Sequence, residues 1–391
     1  MELKIHQDSK IQPSMSISPI VIAGAGIAGL TLGRCLKQKN IPTLIIEKFS
    51  SPPRNNYGIT LHPWAYRPLL AALHMDESTF RDMLSVDTNR GGSGAIAGDL
   101  MSTSIDTTSG TFRCHRGRFE RLLREGQDVR WGHTIEDIEI FPGKIKVIII
   151  REAPIESKIL IGADGVHSQV RKSLAPYMQV KVLPYVVFNG SRKMAVHEYK
   201  RTIRPQMQGY TIIQSRRDDV VLQICVNDFS TEGVDVGYTY SRPARQNDPL
   251  HNPDRPITGA TDIPEAFYVE LGDLKELGQA FAEIFNAGRV RKDRVLHWLM
   301  RSSLGTKDYI QDLADQGILL VGDAIHAMPI LGGEGANTAM EDGVELADHI
   351  IVHGPQSIKS YSAERYEVWQ RRVEQSEERL ADMNGAAKAT L

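Results

Sequence analysis

Three glycines and one acidic residue near the start of the chain have the types and spacing of a phosphate-binding turn. Gly24, Gly26 and Gly29 follow the apolar run IVIA, and Glu47 comes about twenty residues later. In this arrangement Gly24 permits a tight turn, Gly26 lets a pyrophosphate approach the backbone, and Gly29 lets a helix pack closely on a strand. The Glu47 carboxylate can accept hydrogen bonds from a ribose diol. The pattern predicts dinucleotide binding without separating FAD from NAD; the alternative is a glycine-rich turn in another α/β domain.

Two later segments repeat the combination of glycine with an acidic residue. GADGVHSQVR, residues 162–171, places Asp164 after an apolar run, and GDAIHAMPILGGEGANTAMED, residues 322–342, begins with Gly322 and Asp323. The glycines near its middle precede a predicted helix, whose N-terminal N–H groups would stabilise a negative charge. The alternative is that these glycines only cap the helix and turn a corner.

The elements that must position these residues can be predicted from hydrophobic periodicity. Ile20–Ala23 and Thr43–Ile46 are apolar runs typical of buried parallel strands, and a helix is predicted between them from about Leu30 to Lys39. Residues 175–290 contain runs rich in β-branched residues, which predict a sheet-containing second domain inserted into the first. Within it, residues 227–264 are rich in Pro, Gly, Asn and Asp and are predicted to form a long surface loop.

The chain of 391 residues is long enough for two or three compact units with a large core. Tyr361–Met383 predicts a charged amphipathic helix that packs on this core. The expected units are residues 18–174 for the first part of the dinucleotide-binding domain, with 58–112 contributing to a substrate pocket, 175–290 for the substrate domain, 291–350 for the return to the first domain, and 351–391 for a C-terminal helical region.

Composition and charge exclude several classes of function. The formal net charge of −2 gives no reason to expect binding to nucleic acid or to an anionic membrane. Cys35, Cys114 and Cys225 form no CxxC pair, which argues against a disulfide framework or a metal site and favours a reducing, cytoplasmic compartment. No apolar run reaches the roughly 18 residues that a membrane span needs. Both a monomer and a homodimer remain compatible with the sequence.

The ordered set of three glycine-and-acid segments resembles the FAD-dependent aromatic hydroxylases, the single-component flavoprotein monooxygenases of the para-hydroxybenzoate hydroxylase type. The resemblance covers roughly residues 20–174 and 290–350, and residues 58–112 are similar to fungal secondary-metabolite members. It implies a Rossmann-like FAD-binding domain with an inserted sheet-containing substrate domain and a C-terminal helix.

The same resemblance implies a reaction. NAD(P)H would reduce FAD, O2 would then form a flavin C4a-hydroperoxide, and an aromatic or polycyclic small molecule would be hydroxylated or epoxidised. Because no second GxGxxG follows the first, NAD(P)H is expected to bind transiently rather than in a domain of its own.

The resemblance also assigns cofactor roles to individual residues. The first glycine segment and Glu47 match residues that hold the ADP half of FAD, and Arg116 and Asp323 match residues near its ribityl and pyrophosphate parts. Asp164 matches the acid that fixes the loop behind the cofactor and helps the nicotinamide donor to engage. Residues 332–337 match the loop along the flavin edge. The implied cofactor-binding residues are Gly24, Gly26, Ala28, Gly29, Glu47, Lys48, Arg116, Asp164, Asp323, Pro329, Gly333, Gly335, Ala336 and Asn337.

Two positions depart from the pattern of this family. Ile330 stands where a second proline commonly follows Pro329, and Glu334 stands at the centre of a segment that is commonly GQG. The first change bears on how the reactive carbon of the flavin is shielded. The second adds a carboxylate that could face either the flavin or solvent.

Four side chains are candidates to face a substrate. His62 lies in a segment expected near the flavin ring, where it could take a proton from a phenol or an indole N–H; the alternative is a structural histidine. Tyr66 and Tyr210 are further candidates, although a tyrosine on a predicted strand is more often part of a core. Arg192 could hold an acidic substrate or be solvated. His326 is expected to pack rather than to act in catalysis.

Three functions are compatible with these residues. The first is the monooxygenase just described, and the second is an FAD oxidase or dehydrogenase that inserts no oxygen. The third is a flavoprotein whose FAD is structural or sensory. A product heavier by one oxygen atom distinguishes the first from the second, and a flavin that no pyridine nucleotide reduces favours the third.

Overall fold

The computed structural model describes residues 18–53, 56–87, 92–97 and 110–385. The strands are β1 (Ile20–Ala23), β2 (Thr43–Glu47), β3 (Gly58–Leu61), β4 (Ser93–Ala97), β5 (Phe112–His115), β6 (Val129–Trp131), β7 (Ile135–Phe141), β8 (Lys144–Ile149), β9 (Ile155–Ser157), β10 (Leu160–Gly162), β11 (Lys181–Val182), β12 (Tyr185–Met194), β13 (Tyr210–Arg217), β14 (Val220–Phe229), β15 (Val234–Pro243), β16 (Arg294–Trp298), β17 (Arg301–Ser302) and β18 (Ile318–Leu320). The α-helices are α1 (Ile27–Gln38), α2 (Pro63–Leu73), α3 (Glu77–Leu84), α4 (Arg116–Arg124), α5 (Gln169–Leu174), α6 (Val196–Thr202), α7 (Arg204–Met207), α8 (Glu265–Asp273), α9 (Gln279–Ile284), α10 (Ala287–Val290), α11 (Lys307–Asp315), α12 (Gly335–His353) and α13 (Ile358–Met383).

A five-stranded parallel sheet, in the order β18-β10-β1-β2-β6, forms the first layer. Its central strands β1 and β10 are buried along their whole length, as expected for a parallel sheet with both faces covered. β1, α1 and β2 form the predicted strand–helix–strand unit. Helix α1 begins at Ile27 rather than near Leu30, because Gly26 already occupies the position that caps the helix.

A second sheet has six strands in the order β16-β12-β15-β14-β13-β4 and is antiparallel except where β4 joins β13. Successive side chains of a strand point to opposite faces. Phe188 and Tyr238 lie on one face, where they pack with Phe267 of α8 in an apolar core. Asn189 and Ser191 lie on the other face, toward the parallel sheet. The architecture is the predicted α/β fold, a Rossmann-like domain with a second, sheet-containing unit.

Residues 227–264 do not form the predicted long loop. Val234–Pro243 is strand β15, which lies between β12 and β14 inside the six-stranded sheet. The prediction was wrong because the stretch rich in Pro and Asn begins only where β15 ends. At that end Arg242 is fully buried and forms ion pairs with Asp248 and Glu270, so the chain that follows is held against the sheet.

The C-terminal helix α13 packs against α11 and α12. Its Trp369 is fully buried and donates a hydrogen bond from Nε1 to Oδ1 of Asp342 at 2.8 Å. His326 and Arg365 bind the same carboxylate. Burial alone would raise the pKa of Asp342, but His326, Arg365 and Trp369 lower it to about 2. His326 is therefore part of a buried network that joins α13 to the end of β18.

Of the helices in the described ranges, none combines the length and the apolar character that crossing a bilayer requires.

Candidate active site

The glycine turn after β1 is shaped by two close packing contacts and one open position. Gly24 has a φ of +107°, and a Cβ atom there would lie 2.4 Å from the Ala163 carbonyl oxygen. A Cβ atom on Gly29 would lie 2.1 Å from the carbonyl oxygen of Gly24. A Cβ atom on Gly26, in contrast, would meet nothing within 4 Å, because this residue borders a cavity. The turn therefore offers bare backbone to a ligand at Gly26, as a pyrophosphate requires.

Glu47 ends strand β2 beside this turn, and Lys48 follows the strand. The Glu47 carboxylate accepts hydrogen bonds from the Ala25 N–H at 2.9 Å and from the Phe49 N–H at 3.1 Å. Through the hydrogen bond from Ala25, Glu47 fixes the shape of the glycine turn. Lys48 is exposed, and its ammonium lies 5.5 Å from the centre of the Phe49 ring.

Asp164 lies behind the glycine turn. Its Oδ2 accepts hydrogen bonds from the N–H groups of Gln169 at 2.6 Å and Val170 at 3.2 Å, at the start of α5. Oδ1 is buried and has no hydrogen-bond partner among the described residues. Burial raises the pKa of this carboxyl, against the effect of its hydrogen bonds. Nearby, Arg171 donates to the Ala324 carbonyl oxygen at 2.6 Å and so joins this segment to the third glycine segment.

Asp323 and Arg116, both predicted to contact FAD, line the same cavity. Asp323 lies just after β18, on a short 3₁₀ turn. Burial raises the pKa of its carboxyl, whereas His326 and Arg116 act to lower it. The Arg116 guanidinium donates to Glu120 at 2.8 Å and is a second polar group on the cavity wall.

The N-terminus of α12 borders the same cavity. Gly333 has a φ of +76° and open space at the position of a Cβ atom. Pro329, Gly335 and Ala336 also line the cavity. Asn337 is fully buried and does not line it. Instead, its side chain accepts from the His62 N–H at 2.9 Å and donates to the Thr60 carbonyl oxygen at 2.9 Å, which fastens α12 to strand β3.

The predicted cofactor residues therefore divide into two groups. Gly26, Ala28, Arg116, Asp323, Pro329, Gly333, Gly335 and Ala336 line the cavity. The others, Gly24, Gly29, Glu47, Lys48, Asp164 and Asn337, stand outside its lining. Apart from the exposed Lys48, the members of this second group hold the backbone of the first in place through the contacts above. The bare backbone at Gly26 and the polar groups opposite it fit an FAD molecule.

The cavity, of about 1410 Å³, continues from the glycine turn to the six-stranded sheet. The sheet contributes mostly polar side chains from alternate positions of its strands. The lining residues with side chains are Asn189, Ser191, Ile212, Gln223, Cys225, Asn227, Asp235, Thr239, Arg294, Leu296 and Trp298, and Gly94 and Gly190 contribute backbone. The sequence analysis did not find this set. The alternation of polar and apolar residues along β12 and β14 carried the signal, but no motif marked which face would be covered.

Asp235 and Asn227 form a polar pair on this wall. Asn227 donates from Nδ2 to Oδ1 of Asp235 at 3.4 Å, and its own Oδ1 accepts from the Gly58 N–H at 3.1 Å. Burial raises the pKa of the Asp235 carboxyl. The pair thus places a carboxyl in the cavity and links the sheet to β3, the strand that leads to His62.

His62 lines the cavity at the end of β3. Its ring stacks on Trp64 with centroids 6.1 Å apart, and its Nδ1 lies 3.5 Å from the Thr111 hydroxyl. Burial lowers the pKa of His62 further than Glu334 raises it. His62 is therefore a neutral imidazole at neutral pH, which can accept a proton.

The structure contradicts the substrate-facing roles predicted for Tyr66 and Arg192. Tyr66 is fully buried, and its hydroxyl donates to Glu77 at 2.8 Å. Arg192 points to the helix-covered face of the sheet, where it forms an ion pair with Asp293 at 2.6 Å. The alternative for Arg192, a solvated side chain, is also wrong, because alternation along β12 turns it away from both the cavity and solvent.

Tyr210 begins β13 and is half-buried. It does not line the cavity, whereas Ile212, two residues later, does. The pairing of β13 with β4 shifts register between these two residues, which breaks the alternation that would place them on one face. Its predicted contact with substrate has no support here.

The two departures from the family pattern have different surroundings. Ile330 is 54% exposed and lies at the cavity mouth. Glu334 is only 4% exposed, lines the cavity, and forms an ion pair with Arg379 of α13.

Within the described ranges, no group of three or more His, Cys, Asp or Glu side chains is placed to hold a metal ion.

Comparison with known proteins agrees with this geometry. A family model described as an FAD binding domain matches residues 277–376. The FAD-dependent monooxygenase vrtH of Penicillium aethiopicum is 33% identical over 351 residues, which cover 85% of this chain and 84% of that protein. The FAD-dependent monooxygenase nscC of Trichophyton rubrum is 32% identical over 394 residues, covering 94% and 95%.

Solved structures share the fold. A crystal structure of CtdE in complex with FAD and a substrate superposes with a TM-score of 0.72 at 16% identity, covering 94% of this chain and 90% of that one. Klebsiella pneumoniae HpxO, complexed with FAD and uric acid, gives a TM-score of 0.70 at 18% identity, covering 94% and 89%. At these identities the likeness concerns the fold alone.

A Rossmann-like FAD-binding unit facing a separate sheet defines a flavoprotein. The chain belongs to the FAD-dependent monooxygenases, as its relatives with more than 80% mutual coverage establish. It is accordingly an oxidoreductase that uses FAD and O2 on a small molecule. The first of the three functions considered from the sequence is thereby confirmed in its general form.

Proposed function

We propose that this enzyme uses NAD(P)H and O2 to hydroxylate or epoxidise an aromatic or polycyclic small molecule in secondary metabolism. The observation that carries the proposal is the continuity of one cavity from Gly26 to the polar face of the six-stranded sheet. A dinucleotide on the glycine turn and a planar substrate on the sheet would therefore meet inside the protein. The fungal relatives named above support the biosynthetic context.

The residues present fit FAD, and each would have a separate task. The Gly26 backbone would hold the pyrophosphate, and Arg116 and Asp323 would bind near the ribityl part. The N–H groups at the start of α12 would face the flavin edge, where a helix N-terminus stabilises negative charge. When bound, FAD supplies the redox chemistry, taking electrons from NAD(P)H and activating O2.

His62 would act on the substrate. As a neutral imidazole on the cavity wall, it would take a proton from a phenol or an indole N–H through a ring nitrogen. Loss of that proton raises the electron density of the ring carbon that receives oxygen. The cavity wall of the six-stranded sheet would hold the substrate flat and exclude water from the reacting atoms.

An anaerobic titration of the FAD-loaded protein with NADPH, and separately with NADH, tests the proposal. We expect the visible flavin band to bleach and to return when air is admitted. Hydroxylated and unsubstituted polycyclic aromatics would then be screened by mass spectrometry for a gain of one oxygen atom. A flavin that neither nucleotide reduces, even with aromatic compounds present, would contradict the proposal.

A further inference from the structure

Glu334 has surroundings that its place in the sequence does not explain. The side chain is only 4% exposed and lines the cavity. One carboxylate oxygen, Oε1, binds the Arg379 guanidinium. The other, Oε2, is buried and has no hydrogen-bond partner in the part of the chain that the structure describes. Leaving a buried carboxylate oxygen unpaired is costly, so this oxygen calls for an explanation such as a redox or catalytic role.

The position of this carboxylate in the fold gives it an electrostatic task. Glu334 immediately precedes α12, a helix of 19 residues, and its carbonyl oxygen accepts the first intrahelical hydrogen bond, from the Thr338 N–H. The N–H groups between them lie at the positive end of the helix dipole. A negative side chain there offsets part of that positive potential. The positive charge of Arg379, on α13, acts against the negative charge of Glu334 at this helix N-terminus.

We propose that the Glu334–Arg379 ion pair sets the reduction potential of the bound FAD, with the two residues acting in opposite directions. Reduced flavin carries negative charge, and the pair lines the cavity into which FAD fits. The Glu334 carboxylate disfavours that charge and thereby lowers the reduction potential. The Arg379 guanidinium favours the charge and raises the potential. The inference depends on FAD binding but not on the identity of the substrate.

The charged groups around the pair can be named. His62 interacts electrostatically with both members of the pair and with Arg372, whose guanidinium lies 4.0 Å from the centre of the Trp64 ring. Asp382 lines the cavity one turn of α13 beyond Arg379. Burial lowers the pKa of His62, while Glu334 acts to raise this pKa and Arg379 acts to lower it.

Helix α13 is held rigidly enough to keep Arg379 in place. Ser376 lies one turn before Arg379 and packs tightly on Gly332. A Cβ atom on Gly332 would lie 1.9 Å from the Ser376 hydroxyl oxygen. Beyond the end of the helix, Asn384 accepts a hydrogen bond from the Ser241 hydroxyl at 2.9 Å. Arg379 therefore projects from a segment that is fixed both to the loop before α12 and to the six-stranded sheet.

The test is the two-electron midpoint potential of FAD in the holoenzyme, measured against reference dyes. We expect Glu334→Gln to raise the ratio of reduced to oxidised flavin at a fixed potential at least about tenfold, a shift of about 30 mV. We expect Arg379→Gln to lower the ratio by a similar factor. The double variant is expected to return close to the wild-type value. Glu378→Gln removes an exposed charge from the same turn of α13 and serves as the control.

Two further measurements separate charge from structure. Arg379→Lys keeps the charge and is expected to keep the wild-type potential, and this comparison with Arg379→Gln stands even if Glu334→Gln fails to retain FAD. Thermal unfolding of the apoproteins reports loss of the ion pair for either substitution and is expected to move in the same direction for both. Potentials that also move in the same direction for both single variants, or that do not move, overturn the proposal.

Discussion

At the glycine turn the cavity is lined by backbone atoms, whereas at the six-stranded sheet it is lined by side chains. Gly24 and Gly29 are required because neighbouring backbone atoms leave no room for a Cβ atom. On the sheet, Asn189, Gln223 and Asp235 line the cavity with polar side chains. The cofactor part of the site therefore requires particular residues that a sequence motif can reveal. The substrate part depends on side chains that can differ between enzymes with different substrates.

The largest expected effect comes from substituting two glycines of the same turn one at a time. Gly24→Ala places a Cβ atom 2.4 Å from a carbonyl oxygen at a φ of +107°. We expect it to destabilise the apoprotein by about 3 kcal/mol or more and to abolish FAD binding. Gly26→Ala meets no protein atom, so it is expected to change stability by less than about 1 kcal/mol while weakening FAD binding at least tenfold. Urea unfolding measures the stability of each variant, and flavin fluorescence measures its FAD affinity. Equal loss of stability in the two variants would contradict the difference in packing between Gly24 and Gly26.

The next effect compares the two faces of the six-stranded sheet. Arg192→Met leaves Asp293 buried without its ion-pair partner, which is expected to cost about 3–5 kcal/mol of stability. FAD affinity at a temperature where the protein is folded should stay at the wild-type value. Asp235→Asn, on the cavity face, is expected to change stability by less than about 1 kcal/mol and to lower turnover of any substrate found. A stable Arg192→Met protein with impaired substrate binding would reverse the assignment of faces.

A pH dependence follows from the helix-covered face. Burial, and to a smaller extent Arg255, lowers the pKa of His297 from 6.5 to about 4. Between these values the unfolded chain binds a proton that the folded chain does not, so stability falls as the pH falls through this window. The expected slope from this group is about 1.4 kcal/mol per pH unit. His297→Gln should remove it in urea unfolding measured across the window, and identical slopes for both proteins would contradict the shift.

The smallest expected effect reports on the cavity face directly. Cys35 and Cys114 are buried, and burial raises the pKa of the Cys35 thiol to about 12. Cys225 is half-buried and lines the cavity. A small alkylating reagent should therefore modify one thiol, with Cys225→Ser as the unreactive control. Reaction is expected to slow when a cavity ligand is added, as peptide mapping would show; modification at Cys35 or Cys114 in the folded protein would count against this.

The sequence predicted the parts of the fold that depend on local chemistry. Glycine spacing marked the turn after β1, and the acids at 164 and 323 were found because each follows an apolar strand. Arg192 was placed on the wrong face because strand alternation shows which residues share a face, but not which face of the sheet borders the cavity and which is covered by helices. Strand β15 was missed since its polar C-terminal end is stabilised by partners distant in the chain, such as Glu270. The sequence predicted α13 as a helix packed on the core, but no local pattern shows that its Arg379 meets Glu334.

The order in which the chain is made has a consequence for how this protein acquires its cofactor. The glycine turn lies at residues 24–29, whereas the opposite walls of the cavity come from residues 323–336 and from Arg379 on α13. A ribosome therefore releases the first wall long before the last. A nascent chain that ends before α13 would lack Arg379 on the cavity wall and the Trp369–Asp342 hydrogen bond that joins α13 to α12. We therefore expect FAD to be retained only after α13 has been made, so that chains terminated before this helix are colourless.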